Sequence, residues 1–401
     1  MKIIQLALTF IWFWFINFIG RPIAYFLIVM KFGPVKYVNS RISLFKKGPY
    51  VVIANHTNHW DPFLVTAATS VPIRWIASDA AFRDSLKPVL YSVGAIPKIK
   101  ETSDMVTMKM IGNAVAMKQV IGIFAEGKQT WDGKTMELIT STAKLIRFLK
   151  IPVVSATIKG GFMAKPRWSW KARKHKITVE YNEIISKKEI KTMKLSEILK
   201  RMNDALDFDD FEWQKQHKYP VKSNIRAEYI ELALYTCPKC GKIGNLHSSG
   251  NLLQCSCGFQ AEIDKYGFIV CPDDPPEFNS MHEWMLWQDK KLTDSFDMPV
   301  KNNDTAAVLL SDKNVTLKKG SRAKAMETLI TGDAKLYIDR IEVSRNGKVF
   351  VFPLSETSAG SVFKQYYFDF RYNKTQYQFV FADRHTSGYK WEVAWKKLRN
   401  N

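Results

Sequence analysis

Acidic residues are scarce in this chain. Its 401 residues hold 38 Asp and Glu against 59 Lys and Arg, a formal charge of +21. That excess attracts phosphate-bearing partners, whether nucleic acid, anionic lipid head groups or a substrate with a nucleotide tail. Repeats and low-complexity tracts are absent, and a 46% hydrophobic content excludes wholesale disorder, so two or three folded units with their own cores are expected. Charge is missing altogether from Ile3–Gly20, IIQLALTFIWFWFINFIG, and after Arg21 and Pro22 the apolar run resumes as IAYFLIVM. Membrane contact follows. That resumption, with no small-residue cleavage site before it, argues against a removable signal peptide.

The first apolar run sits at the short edge of what crosses a hydrocarbon core of about 30 Å. Trp12 and Trp14 lie mid-segment, whereas spanning helices carry tryptophan at their ends. Gln5, Thr9 and Asn17 share one helical face, as an interfacial helix allows. A membrane-embedded helical hairpin over 1–35 is expected, with a true span as the alternative.

From residue 49 to about 185, β-rich runs (YVVIAN, IRWIA, VIGIFAE, PVVSATI, KITVEYN) alternate with helical stretches at 104–118 and 137–150, an α/β pattern. LSEILKRMNDALDFDDFEWQKQHK reads as one amphipathic helix with an acidic patch, closing that domain, taken as 36–215, or leading to the next. The proline-rich CPDDPPEF marks a linker. Beyond it, 280–401 shows its own strand periodicity and then the helical SGYKWEVAWKKLRN. Several antiparallel strands closed by one helix resemble, in topology only, a pleckstrin-homology-like barrel.

Only five cysteines occur, and four of them, Cys237, Cys240, Cys255 and Cys257, fall as CPKC and CSC with glycine after each second cysteine. Two such knuckles can offer four thiolates to a structural Zn²⁺ with closed coordination, and residues 232–272 resemble a zinc ribbon. A CSC pair is geometrically awkward for disulfides and nothing else points to an oxidising compartment. Cys271 is left over as a small hydrophobe. A closed four-sulfur site holds a fold and leaves no position for a substrate.

In VVIANHTNHWDPFL, residues 51–64, a strand runs into His56 and, five positions on, Asp61. A continuous helix would put these side chains on different faces, so they meet only where the chain turns, as it does between a strand ending near 55 and a helix opening at Asp61 and Pro62. A carboxylate would then hold the imidazole in one tautomer and leave its other nitrogen to take a proton. Two further corners, SVGAIPKIK with Lys98 and Lys100, and VIGIFAEGKQTWDGK with Glu126, Gly127 and Lys128, would bring lysines and backbone amides to the same sheet edge, an arrangement suited to phosphate. His59 reads as solvent-facing or as a neighbour of the base.

The sequence here resembles the glycerolipid acyltransferase family that includes 1-acylglycerol-3-phosphate acyltransferases. Asn55, His56 and Asp61 match its first motif, Gly94–Lys100 its second, Phe124, Ala125, Glu126 and Gly127 its third, and IPVVSATIKG, Ile151–Gly160, its fourth. The resemblance covers about 1–210. It implies a mixed sheet flanked by helices, and a membrane enzyme of phospholipid biosynthesis on the cytoplasmic face that moves a fatty acyl group from acyl-CoA or acyl carrier protein to a lysophospholipid. It further implies His56 as general base, Asp61 as its support, Glu126, Gly127 and Lys128 on the acceptor side, Lys100 or Lys98 as counter-charge, and an apolar lining from Ile151–Val154. Ala125, Lys128, Gln129 and Lys100 depart from the family's usual residues. Lysine lacks arginine's bidentate fork, so the departures bear on the acceptor.

No Asp or Glu occurs from 138 to 179, while KGGFMAKPRWSWKARKHK interleaves cations with Phe162, Trp168 and Trp170. Membrane docking is the expected use of this stretch, beside a plain solvated face or nucleic-acid stacking. A rival class is a binding module in which the ribbon and the basic surface engage nucleic acid or a protein partner.

Overall fold

Val51–Ala54 is four apolar residues in a row, and all four are fully buried. Such a run suits a strand covered on both faces. In the computed structural model this strand, β2, is the middle of a seven-stranded sheet. The structure describes residues 2–40, 48–69, 71–83, 87–99, 105–271, 278, 280–320 and 325–399.

The chain divides into two compact units, Met1–Arg167 with Lys171–Ser223, and Trp168–Trp170 with Asn224–Asn401. In the first, β1 (Val35–Val38), β2, β3 (Ile73–Ser78), β4 (Ile96–Lys98), β5 (Val120–Phe124), β6 (Val153–Lys159) and β7 (Ile177–Ile185) lie in the order β1-β7-β6-β2-β5-β3-β4. Strands β6, β2, β5, β3 and β4 run parallel, and β7 with β1 opposes them. The sheet is mixed, as expected. Side chains alternate across β2: Val52 and Ala54 pack with Ile28 and Phe32 of the N-terminal helix and with Leu64 and Val65. Val51 and Ile53 pack on the other face with Ile111, Ala114, Ile146, Ile198 and Met202. Helices therefore cover both faces.

The hairpin expected over 1–35 is instead one helix, α1 (Lys2–Phe32), that continues through Pro22. Proline removes one donor from the helical ladder, but an apolar helix tolerates the loss where its surroundings satisfy the freed group. Ile11–Phe32 is long and apolar enough to cross a membrane, by length and composition. Phe13, Ile28 and Phe32 are buried, while Ile11, Trp12, Phe15, Phe18, Ile23, Phe26 and Met30 stand exposed. The helix foreseen over 195–218 is two, α2 (Leu195–Leu206) and α3 (Asp210–His217), because the Asp209 side chain accepts the N–H groups of Phe211 and Glu212 and starts a new one.

In the second unit a four-stranded antiparallel sheet spans Leu246–Val270. The proline-rich linker falls at 272–277, outside the described residues. From Leu310 to Val380 seven antiparallel strands follow, and the first of them (Leu310–Gly320) also pairs with the last (Thr375–Val380). A closing helix, α4 (Tyr389–Arg399), sets Trp391 and Trp395 into that sheet. The cysteine-rich segment and the β-rich segment, expected as separate domains at 232–272 and 280–401, form a single unit. Gln288 accepts from the backbone N–H of Tyr235 at 2.9 Å and donates to the Ala233 carbonyl at 2.7 Å. Tyr235 and Tyr389 both donate to Asp289, at 2.8 and 2.6 Å.

Gly122 of β5 has no room for a side chain: a Cβ there would lie 2.5 Å from the Trp75 ring. Gly122→Ala is expected to lower the stability of the first unit by about 1–3 kcal/mol through overpacking. A urea midpoint equal to that of the parent would contradict this.

Candidate active site

The parallel strands end on one edge of the sheet, so the turns after β2, β5 and β6 open side by side. The turn after β2 carries His56, and its imidazole Nδ1 lies 2.8 Å from Asp61 Oδ2. Asp61 opens the short helix Asp61–Thr66, with Pro62 in its first turn. Its carboxylate is fully buried and also accepts the N–H groups of Thr57 (2.6 Å) and Asn58 (2.8 Å) and the Thr57 hydroxyl (2.9 Å). Four donors offset what burial of a carboxylate costs. Because Asp61 accepts, Nδ1 carries the proton and Nε2 is left with a lone pair. The His56 side chain is 17% exposed, which opens it to a reactant while Asp61 stays sealed.

The backbone at His56 is fixed as well. Its N–H donates to Glu126 Oε1 at 2.6 Å, and its carbonyl accepts from Thr130 N–H at 2.9 Å. The ring stacks on Phe124 with centroids 4.0 Å apart, and Phe124 stacks in turn on Trp75 at 4.5 Å. Trp75 is anchored by donating to the Thr66 hydroxyl at 3.0 Å. An aromatic ladder thus fixes the plane of the imidazole.

Glu126 is buried, and its second oxygen accepts the N–H of Met136 at 2.8 Å. Both oxygens are spent on backbone, so the carboxylate ties the corner after β5 to the His56 turn. Burial pushes its pKa up to about 8, against the opposing pull of the two N–H donors. Gly127 is exposed with φ +69°, a left-handed turn that favours glycine. Lys128 is half-buried next to it. Lys98 ends the edge strand β4, three strands from β2, which is about 14 Å across a sheet of ordinary spacing. Lys100 lies outside the described residues. Ile151, Val153 and Val154 are buried in the core, with Val153 and Val154 on β6 beside β2. His59 is exposed.

Sequence reasoning assigned no role to several supporting groups. Asn55 grips the end of β6, accepting from Ile158 N–H at 2.7 Å and donating to its carbonyl at 2.9 Å. Asn58 donates to the Gly161 carbonyl at 3.2 Å, and a Cβ on Gly161 would lie 2.5 Å from the Thr57 hydroxyl. Asp210, fully buried, accepts the N–H groups of Gly160 and Phe162, and burial raises its pKa to about 7. The stretch expected as a membrane-docking face is largely interior. Phe162, Lys165, Arg167 and Trp168 are buried, and the Arg167 guanidinium lies over the Trp131 ring at 4.3 Å and donates to the Gln129 carbonyl at 2.7 Å. Its mixture of cations and aromatics serves internal stacking, which composition cannot distinguish from a surface.

The acyltransferase family model matches residues 36–159. That segment is an acyltransferase domain. Among solved structures the chain is similar to the 1-acyl-sn-glycerophosphate (LPA) acyltransferase PlsC from Thermotoga maritima. Identity is 15%, the TM-score is 0.40, and the match covers 54% of this chain and 98% of that one. No curated protein matches the chain. Within the acyltransferase domain, the histidine, its carboxylate and the Glu126 corner all fall inside the matched residues.

In the second unit, Cys237, Cys240, Cys255 and Cys257 place their sulfurs within 4.8 Å of one another, with Cys237–Cys257 at 3.7 Å and Cys240–Cys255 at 3.8 Å. Tetrahedral Zn²⁺ with Zn–S bonds of about 2.3 Å requires sulfurs about 3.8 Å apart, so the four thiols fit that ion.

The folded pKa of Glu126, about 8, lies above its ordinary value of 4.5. Its contribution to stability is therefore complete below about 4.5 and is lost as pH rises through about 8. Urea unfolding of the parent and of Glu126→Gln should show a difference that shrinks between pH 5 and pH 8.5. A difference that grows over that range would reverse the sign of the argument.

Proposed function

We propose that this chain transfers a fatty acyl group from a thioester donor, acyl-CoA or acyl carrier protein, to the hydroxyl of a lysophospholipid, with 1-acylglycerol-3-phosphate as the first acceptor to test. The observation that carries the reading is the commitment of His56: its N–H, carbonyl and Nδ1 are all held by hydrogen bonds, which leaves Nε2 to act. Nε2 takes the proton of the acceptor hydroxyl as that oxygen attacks the thioester carbonyl. The tetrahedral intermediate collapses with cleavage of the C–S bond, and the imidazolium returns its proton to the leaving thiolate. An ester and a free thiol result. Asp61 holds the ring and stabilises the imidazolium without leaving its own hydrogen bonds. Gly127 and Lys128 flank the acceptor, and Lys98 adds positive charge farther along the sheet edge.

The exposed apolar side of α1 suits a bilayer surface, where both acceptor and product reside. The four cysteines hold a structural Zn²⁺ that organises the second unit and takes no part in acyl transfer, because four sulfurs close its coordination.

With purified full-length protein, labelled acyl-CoA and 1-acylglycerol-3-phosphate, transfer is expected, and His56→Ala and Asp61→Ala should each lower kcat by about 10²–10⁴. Full-rate transfer by His56→Ala would refute the assignment of the base. Release of free fatty acid independent of acceptor would make the protein a thioesterase instead. Metal analysis should find zinc in the parent and little in Cys240→Ser, whose second unit should melt earlier. A chelator that leaves that unit's melting unchanged would remove the zinc.

A further inference from the structure

A segment outside residues 36–159, the stretch matched to the acyltransferase family, joins two of the corners that hold the His56 turn. It is the chain from the end of α2 to the start of α3. The Thr135 hydroxyl donates to the Leu206 carbonyl at 2.7 Å, Thr135 N–H donates to the Phe208 carbonyl at 2.9 Å, and Asp210 N–H donates to the Gly133 carbonyl at 3.1 Å. These bonds stitch the segment to the corner after β5. Its Asp210 carboxylate meets the corner after β6, where it accepts the N–H groups of Gly160 and Phe162. The fit is close: a Cβ on Gly133 would lie 2.8 Å from the Phe162 ring and 3.3 Å from Asp210 Cβ.

Both corners hold the base. From the first, Glu126 takes the His56 N–H, and Thr130 N–H donates to the His56 carbonyl. From the second, the Gly161 carbonyl accepts from Asn58, whose amide also donates to the Thr57 hydroxyl at 3.1 Å, and that hydroxyl donates to Asp61. Asp210 fixes the amides on either side of Gly161, so it reaches His56 through the Asn58 and Thr57 side chains and Asp61. A small displacement of a base costs rate out of proportion to its size. The charges around Asp210 are mostly of its own sign: Asp61 in the His56 turn, Asp209 beside it, and Asp132 next to Gly133. Lys159 at the end of β6 is paired with Glu180 at 2.7 Å, and burial keeps His175, beyond Gly160, neutral with a pKa pulled down to about 4. Burial pushes the pKa of Asp210 up to about 7, with Asp209 and Asp61 adding to the rise and the two amides opposing it. Both of its charge states therefore occur near neutral pH. Protonation puts a hydrogen on one oxygen, which then meets an amide N–H donor to donor and gives up that bond.

We propose that Asp210 is a positioning residue for acyl transfer, whose carboxylate holds the corner after β6 against the His56 turn and so couples α2 and α3 to the base. The inference rests on the acyl-transfer reading and deepens it by adding a control on the same site. Transfer requires His56 to be free of the proton it will accept. It also requires Asp210 to be ionised, because only the carboxylate accepts from Gly160 and Phe162 together. The enzyme is then most active above neutral pH and slackens as Asp210 takes up a proton, with its substrates still bound.

Rates of transfer from acyl-CoA to 1-acylglycerol-3-phosphate by the full-length parent and Asp210→Asn, between pH 6 and pH 8.5, test this. Asparagine keeps one acceptor oxygen, turns a donor towards the second amide and does not titrate, so it imitates the protonated aspartate at every pH. At pH 8.5 the variant's kcat should be about 10–10²-fold below the parent's, with each KM within about twofold, and the ratio should shrink towards one at pH 6. A ratio that stays constant, or a loss confined to KM, overturns the proposal. Thr135→Val removes only a hydroxyl bond from the same segment and serves if Asp210→Asn does not fold. It should lower kcat about threefold, and an unchanged kcat overturns the coupling. Nitrogen NMR of the histidine rings reads the clamp without catalysis. In the parent the His56 ring signals should follow a second proton near pH 7 besides the ring's own, and in Asp210→Asn that second step should vanish. Its presence and loss support the proposal even if no acceptor is acylated, an outcome that would fail the acyl-transfer reading alone, and identical titrations in parent and variant overturn it.

Discussion

A buried carboxylate with four donors is the constraint on which the first unit's chemistry depends. Asp61 cannot leave its place without stranding the imidazole, two backbone amides and a hydroxyl in the protein interior. The turn from 56 to 61 is therefore less a loop than a rigid ring closed through a side chain. The rest of the unit is arranged to hold that ring: Asn55 fastens it to β6, Glu126 and the Thr130 amide fasten it to the β5 corner, and Asn58 fastens it to Gly161. Each fastening runs to a different neighbouring segment. The position of the imidazole is thus set by the sheet as a whole.

Much of this was legible from residue order. Strands β2, β5 and β6 sit between two layers of helices, and burial on both faces leaves the uninterrupted apolar runs that make such strands easy to read. The His56–Asp61 spacing implied a turn because no helix or strand brings those positions together. Less was legible where burial reverses what composition suggests. The clamp that Glu126 makes on two backbone amides is not visible in its motif, while the basic stretch after β6 reads as a surface and is largely interior. The strand Leu310–Gly320 carries an aspartate and three lysines, and Thr357–Phe363 is mostly small and polar, so neither shows the alternation by which their neighbours were recognised. A short first apolar run with tryptophans in its middle suggested a hairpin where α1 is one helix. The helix runs on through Pro22.

The second unit reaches rigidity by a different route. Its cysteine knuckles and its β-rich part are joined by side chains that satisfy backbone: Gln288 spans Ala233 and Tyr235, the Trp284 indole donates to the Thr236 carbonyl at 3.1 Å, and Ser387 donates to the Leu232 carbonyl at 2.7 Å. All of these contacts fall on the few residues just before Cys237. A metal that fixes the knuckle would therefore fix the docking of the helix Met281–Asp294 too. Stability would pass from coordination to packing without a large core of the ribbon's own.

The N-terminal helix links the site to its proposed surroundings. Ile28 and Phe32 are wholly buried in the core layer that also holds Val52 and Ala54, while residues a turn away on the same helix are exposed and apolar. One rigid element thus presents an apolar face outward and ends against Trp60, two residues before Pro62 and four after His56. A lipid acceptor that stays in the bilayer has only limited freedom to rise towards a base, so the height of that base above the apolar surface matters as much as its pKa. For the proposed membrane-resident acceptor, packing α1 into the sheet's own core would fix that height mechanically. A flexible tether would leave the imidazole at a range of depths and reduce the fraction of encounters in which hydroxyl and Nε2 are aligned.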